Sequence, residues 1–101
     1  MSKGGARILI VDDEIEIIRA LQRSLNAHGY KVLVARNGDE ALEIFFQQRP
    51  ELVLLDLMLP GESGLEVCQR IRKESGIPII VLSVKGSERD KVQALDLVIA
   101  H

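Results

Sequence analysis

The chain's 101 residues and 11.2 kDa leave room for one domain and not for two. Hydrophobic residues at 47% and charged residues at 28% exclude a disordered chain, and no apolar run approaches the roughly 18 residues that a bilayer span needs. Lys and Arg number 13 against 15 Asp and Glu, a net charge of −2 that argues against a nucleic-acid surface.

Residues 1–6, with Gly4 and Gly5, read as a flexible tail, and the opening lacks the apolar stretch of a signal peptide, which places the protein in the cytoplasm. Ile8-Leu9-Ile10-Val11 then forms a continuous apolar run that stops at Asp12-Asp13-Glu14, the pattern of a strand buried on both faces. Ile17, Ile18, Leu21 and Leu25 follow at helical spacing, with Gly29 as a C-terminal stop. Val32–Ala35 reads as a second strand, Asn37-Gly38-Asp39 as a turn, and Ala41, Leu42, Phe45 and Phe46 as a second helix closed by Pro50. Leu52–Leu55 is a third strand, again halted by an acid, Asp56. Pro60, Gly61 and Gly64 make a loop with Ser63 as a helix cap, and Leu65, Cys68 and Ile71 mark a third helix running to Gly76. Ile79–Leu82 is a fourth strand ending at Ser83, and Val92, Leu95 and Ile99 give a fourth helix from Ser87 to about residue 99. Cys68 is the single cysteine, which excludes an internal disulfide and a multi-cysteine metal site.

Four successive β-α units predict an α/β fold: an open parallel sheet with right-handed crossovers and helices on both faces. In such a sheet the C-terminal ends of the strands share one edge, where ligands bind. Asp12, Asp13, Asp56 and Ser83 all lie at strand C-terminal ends, so residues distant in sequence become neighbours. Each has an ordinary reading when taken alone: an Asp-Asp pair caps helices, and an Asp before a Pro-Gly loop makes turns. Their shared edge is what carries weight. Three gathered carboxylates repel one another unless a cation sits among them, and hard oxygen donors favour Mg²⁺ or Mn²⁺ over zinc. A carboxylate beside such a cation is suited to nucleophilic attack on phosphorus, giving an aspartyl phosphate, with the Ser83 hydroxyl available to a phosphoryl oxygen.

The stretches Ile8–Glu14, Leu52–Pro60 with Gly64, and Ile77–Ser83 resemble the receiver domain of bacterial two-component response regulators, over about residues 7–96. Gly86 to Lys91 and Ala94-Leu95-Asp96 are most similar to the winged-helix DNA-binding subclass, and within it resemble potassium-transport regulators. The resemblance implies a flavodoxin-like fold and a signalling module, not an enzyme. It implies that Asp56 accepts a phosphoryl group from a sensor histidine kinase. Asp12, Asp13, Asp56 and the Met58 backbone carbonyl would hold Mg²⁺, Ser83 would be the switch hydroxyl, and Pro60 would shape the adjoining loop.

The pattern departs from the family at Leu97-Val98-Ile99-Ala100-His101, where a fifth strand ending in Lys-Pro is expected. On this reading residues 7–101 are a receiver truncated before its fifth strand, without a DNA-binding domain and with phosphorylation impaired by the missing lysine. An exposed fourth-strand edge would then favour self-association. The alternative is an inert pseudo-receiver acting as an interaction scaffold. A haloacid-type phosphatase would need Asp-x-Asp after the first strand, and a flavin binder would need a Ser/Thr/Gly-rich loop where Asp12-Asp13-Glu14 stands.

Overall fold

The computed structural model describes residues 5–57 and 64–82. Strands β1 (Arg7–Val11), β2 (Lys31–Ala35), β3 (Leu52–Leu55) and β4 (Ile79–Val81) pair in parallel in the order β2-β1-β3-β4. Val11 stands opposite both Ala35 and Leu55, so these three strands reach the C-terminal edge in register. The order reverses between β1 and β3, which makes their C-terminal ends the switch point where such sheets bind ligands.

Alternation along each strand feeds two separate cores, because successive side chains point to opposite faces. Leu9, Val11, Ala35, Val53 and Leu55 join α2 (Gly38–Gln48) and α3 (Gly64–Glu74) through Ala41, Leu42, Phe45, Val67 and Ile71. Ile8, Ile10 and Leu54 face the other way and pack on α1 (Ile15–Ala27) through Ile17, Ile18, Leu21 and Leu25. Each such Leu, Ile or Phe contributes roughly 1.5–3 kcal/mol by leaving water. Helices on both faces explain why the strand sequences read as unbroken apolar runs.

The expected α/β architecture is the one observed, with local corrections. Asn37-Gly38-Asp39 is not a free turn: Asn37 is the N-cap of α2, and its side chain accepts the Glu40 N–H at 2.9 Å. The α2 helix reverses at Arg49 in the left-handed region (φ 49°), one residue before Pro50, which disfavours right-handed helix at its predecessor. The Arg49 guanidinium then lies over the Phe45 and Phe46 rings, 5.4 and 5.5 Å from their centroids.

In α3 two of the three expected stripe positions hold, Ile71 fully buried and Cys68 partly buried against the core, while Leu65 does not. Gly64, Val67 and Ile71 face the core, while Leu65 is 56% exposed, because the helix already begins at Gly64 and seats that residue against β3. Strand β4 stops at Val81, yet Leu82 stays attached: its N–H donates to the Leu55 carbonyl at 2.8 Å, and its side chain packs on the α1 side. Ordered pairing also reaches Ala6, whose carbonyl accepts the Lys31 N–H at 2.9 Å. The expected fourth helix, with Met58, Pro60, Ser63 and Ser83, lies outside the described residues. Among the described residues no helix is long and apolar enough to cross a membrane.

Candidate functional site

Backbone pairing places the acids before any side-chain contact is considered. The Asp12 N–H donates to the Ala35 carbonyl at 3.1 Å, and the Asp56 N–H donates to the Val11 carbonyl at 2.9 Å. Each acid thus takes the position just past a ladder that the apolar core holds rigid. Asp12 and Asp56 are 0% and 1% exposed, the two buried acidic residues among those described, and Asp13 beside them is half-buried.

One potential ligand oxygen from each of Asp12, Asp13 and Asp56 lies within 4.8 Å of the others. Sequence reasoning brought these three together, and the structure does so as well. The Asp12 Oδ1 also accepts the Glu14 N–H at 2.9 Å. The capping reading of Asp12 therefore holds in part, since α1 has Glu14 at its N-cap with no side-chain cap of its own. That bond orients the Asp12 carboxylate at the N-terminal end of α1.

Removing two carboxylates from water side by side is unfavourable unless positive charge compensates. A cluster of hard oxygens with no His or Cys in it fits a cation of the Mg²⁺ or Mn²⁺ kind. The residues present therefore suit such an ion. Ser83 and the Met58 carbonyl, expected to complete the site, fall outside the described residues.

Two further residues shape this edge. A Cβ added at Gly64 would sit 2.6 Å from the Asp56 carbonyl oxygen and 2.5 Å from the Leu57 Cα, so α3 starts directly against the chain leaving β3. The Gly64 N–H donates to the Leu57 carbonyl at 3.3 Å. Arg36, which the sequence did not single out, donates from Nη2 to the Asp13 carbonyl at 2.9 Å. Its signal in the sequence was a cation directly after the second strand, but that strand's place beside β1 was needed to give it meaning.

An open parallel sheet of order β2-β1-β3-β4 with three acids at its switch point defines the class, and the chain belongs to the response regulator receiver domain family, which matches residues 8–100. Among individual proteins, it is 50% identical over 91 residues to the probable transcriptional regulator ycf27 of Cyanophora paradoxa. That match takes in 90% of this chain but 38% of the relative, so the chain spans under two fifths of the length of that protein. The BeF3-activated N-terminal receiver domain of Klebsiella pneumoniae RstA is similar in structure, with TM-score 0.75 and 33% identity over 91% of this chain and 79% of that one. The response regulator TrrA, solved in complex with the histidine kinase ThkA, gives TM-score 0.74 and 45% identity over 83% of this chain and 73% of that one.

Proposed function

We propose that this receiver takes a phosphoryl group onto Asp56 from a phosphohistidine of a sensor histidine kinase, with Mg²⁺ held by Asp12, Asp13, Asp56 and the Met58 carbonyl. The single observation behind this reading is the convergence of three carboxylate oxygens within 4.8 Å at the switch-point edge. TrrA supports the choice of partner, since it was solved with its histidine kinase and is 45% identical to this chain.

In the proposed step an Asp56 carboxylate oxygen attacks phosphorus in line, the P–N bond breaks, and the imidazole nitrogen leaves with the bonding pair. Bound Mg²⁺ supplies charge neutralisation on the transferring oxygens. Asp12, fixed through the Glu14 N–H, and Asp13 would keep that charge beside the nucleophile, while the bond from the Asp56 N–H to the Val11 carbonyl fixes where Asp56 leaves its strand. We assign Ser83 as the hydroxyl that responds to the new phosphoryl group, and residues 7–101 as one cytoplasmic receiver unit. The likeness to a probable transcriptional regulator supports transcriptional control as the output, with the winged-helix subclass and a potassium-transport role as the narrower reading. Self-association along β4, one of the two outer strands among those described, belongs to the same proposal. Val81 there is 46% exposed, and a strictly monomeric sedimentation profile at high concentration would overturn it.

Incubation with acetyl phosphate and Mg²⁺, followed by intact mass measurement, tests the central step. One phosphoryl adduct is expected, lost in Asp56→Asn and when EDTA is present. An adduct that survives Asp56→Asn would refute the assignment. No adduct in the wild type, with no Asp13-dependent Mg²⁺ binding, would favour the scaffold reading.

A further inference from the structure

The proposed phosphoryl transfer makes no use of Arg36, yet the fold builds this side chain into the site's edge. Parallel pairing of β1 with β2 puts Val11 opposite Ala35, so the residue after Ala35 emerges beside the Asp12-Asp13 segment. The Arg36 Nη2 donates to the Asp13 backbone carbonyl at 2.9 Å, across 23 residues of sequence.

The other end of this side chain is anchored as well. The Arg36 backbone N–H donates to Glu40 Oε1 at 2.7 Å, and the Glu40 N–H donates to Asn37 Oδ1 at 2.9 Å. This is a capping-box arrangement shifted by one residue, and it ties the Arg36 main chain to the first turn of α2. A continuous path therefore runs from the α2 cap through the guanidinium to the Asp13 peptide. On the following side, the Glu14 N–H is held by the Asp12 carboxylate. The peptide that carries the half-buried third acid is braced from both sides.

We infer that Arg36 is a positioning residue for the cation site, acting through the Asp13 carbonyl to hold the Asp13 carboxylate toward Asp12 and Asp56. The inference rests on the reading of Asp13 as a cation ligand. Removing a group that orients a metal's ligands typically costs about 10–100-fold in metal affinity or activity. Charge alone gives Arg36 the opposite effect. A guanidinium near the acids repels a divalent cation, so removing it as a mere charge would tighten binding, whereas removing a brace loosens it.

That difference in sign makes the test decisive. Mg²⁺ is titrated calorimetrically into the wild type, Arg36→Ala, Arg36→Lys and Asp13→Asn, with urea midpoints recorded for each. Arg36→Ala is expected to bind Mg²⁺ about tenfold more weakly, the low end for groups that orient a metal's ligands, and to lower the urea midpoint only by the small amount that losing one exposed hydrogen bond brings. Arg36→Lys keeps the charge and one donor, and its affinity should lie between. Unchanged or tighter binding in Arg36→Ala would overturn the positioning role while leaving the site intact. Wild-type protein that binds no Mg²⁺, or binding that persists undiminished in Asp13→Asn, would instead overturn the metal reading, and the role of Arg36 with it.

Discussion

The amide of Asp56 donates to the carbonyl of Val11 at 2.9 Å, continuing the β1–β3 ladder one residue past its last paired position. That single bond decides where the site is. With Val11 tied to Asp56, the next residue along β1, Asp12, has no choice but to lie beside it, and two acids 44 positions apart become buried neighbours.

Their proximity predicts an unusual response to neutralisation. Without divalent cations, Asp56→Asn removes one of two like acidic groups held side by side out of water and should raise unfolding stability by about 1–2 kcal/mol, the scale seen when a buried charge is replaced by a neutral group. In the wild type, Mg²⁺ at about 100 times its dissociation constant should add about 2.7 kcal/mol. The variant should gain far less from the ion. Urea unfolding with EDTA and with Mg²⁺ measures both, and equal Mg²⁺ stabilisation in the two proteins would contradict a shared cation.

Gly64 should tolerate no side chain. Its added Cβ would lie 2.5–2.6 Å from backbone atoms of Leu57 and Asp56, which have no rotamer to turn away. Gly64→Ala should destabilise by about 1–3 kcal/mol despite its better helix propensity, as overpacking against a fixed wall does. A stabilised variant in thermal or urea unfolding would show that α3 stands further from β3 than described.

The phase of α3 can be tested with two truncations of similar size. Val67 is fully buried in the α2–α3 core and Leu65 is 56% exposed. Val67→Ala should cost about 1–3 kcal/mol from lost burial and the cavity left behind, and Leu65→Ala less than about 0.5 kcal/mol. The reverse order of urea midpoints would restore Leu65 to the core, as expected from the sequence.

Asn37 should behave as a helix cap and not as a turn residue. Its side chain accepts the Glu40 N–H, so Asn37→Ala should lower stability by about 1 kcal/mol, while Asn37→Asp or Asn37→Ser should restore it. Thermal unfolding of the three variants is sufficient. If Asp and Ser fail to rescue, the bond to Glu40 is not the source of the effect.

Much of this protein was legible from its sequence because local rules govern it. Apolar runs of four residues between helical stripes gave the α/β alternation, and acids halting the first and third runs marked the functional edge. In the third helix only Leu65 was misplaced, because the core face of Gly64, Val67, Cys68 and Ile71 begins at a glycine and not at the first large apolar residue. A glycine's fitness to lie against another backbone is invisible to hydropathy. Asn37 was ambiguous because the same side-chain bond serves turns and caps.

The sequence by itself determined which residues form strands and which acids end them, since both follow from contacts between near neighbours in the chain. Tertiary structure alone decided the lateral order β2-β1-β3-β4, and with it that Asp56 sits on one side of Asp12 while Arg36 reaches Asp13 on the other. Lateral order comes from hydrogen bonds and packing between segments tens of residues apart, whose strengths depend on every strand and helix fitting at once, so no window of sequence contains it.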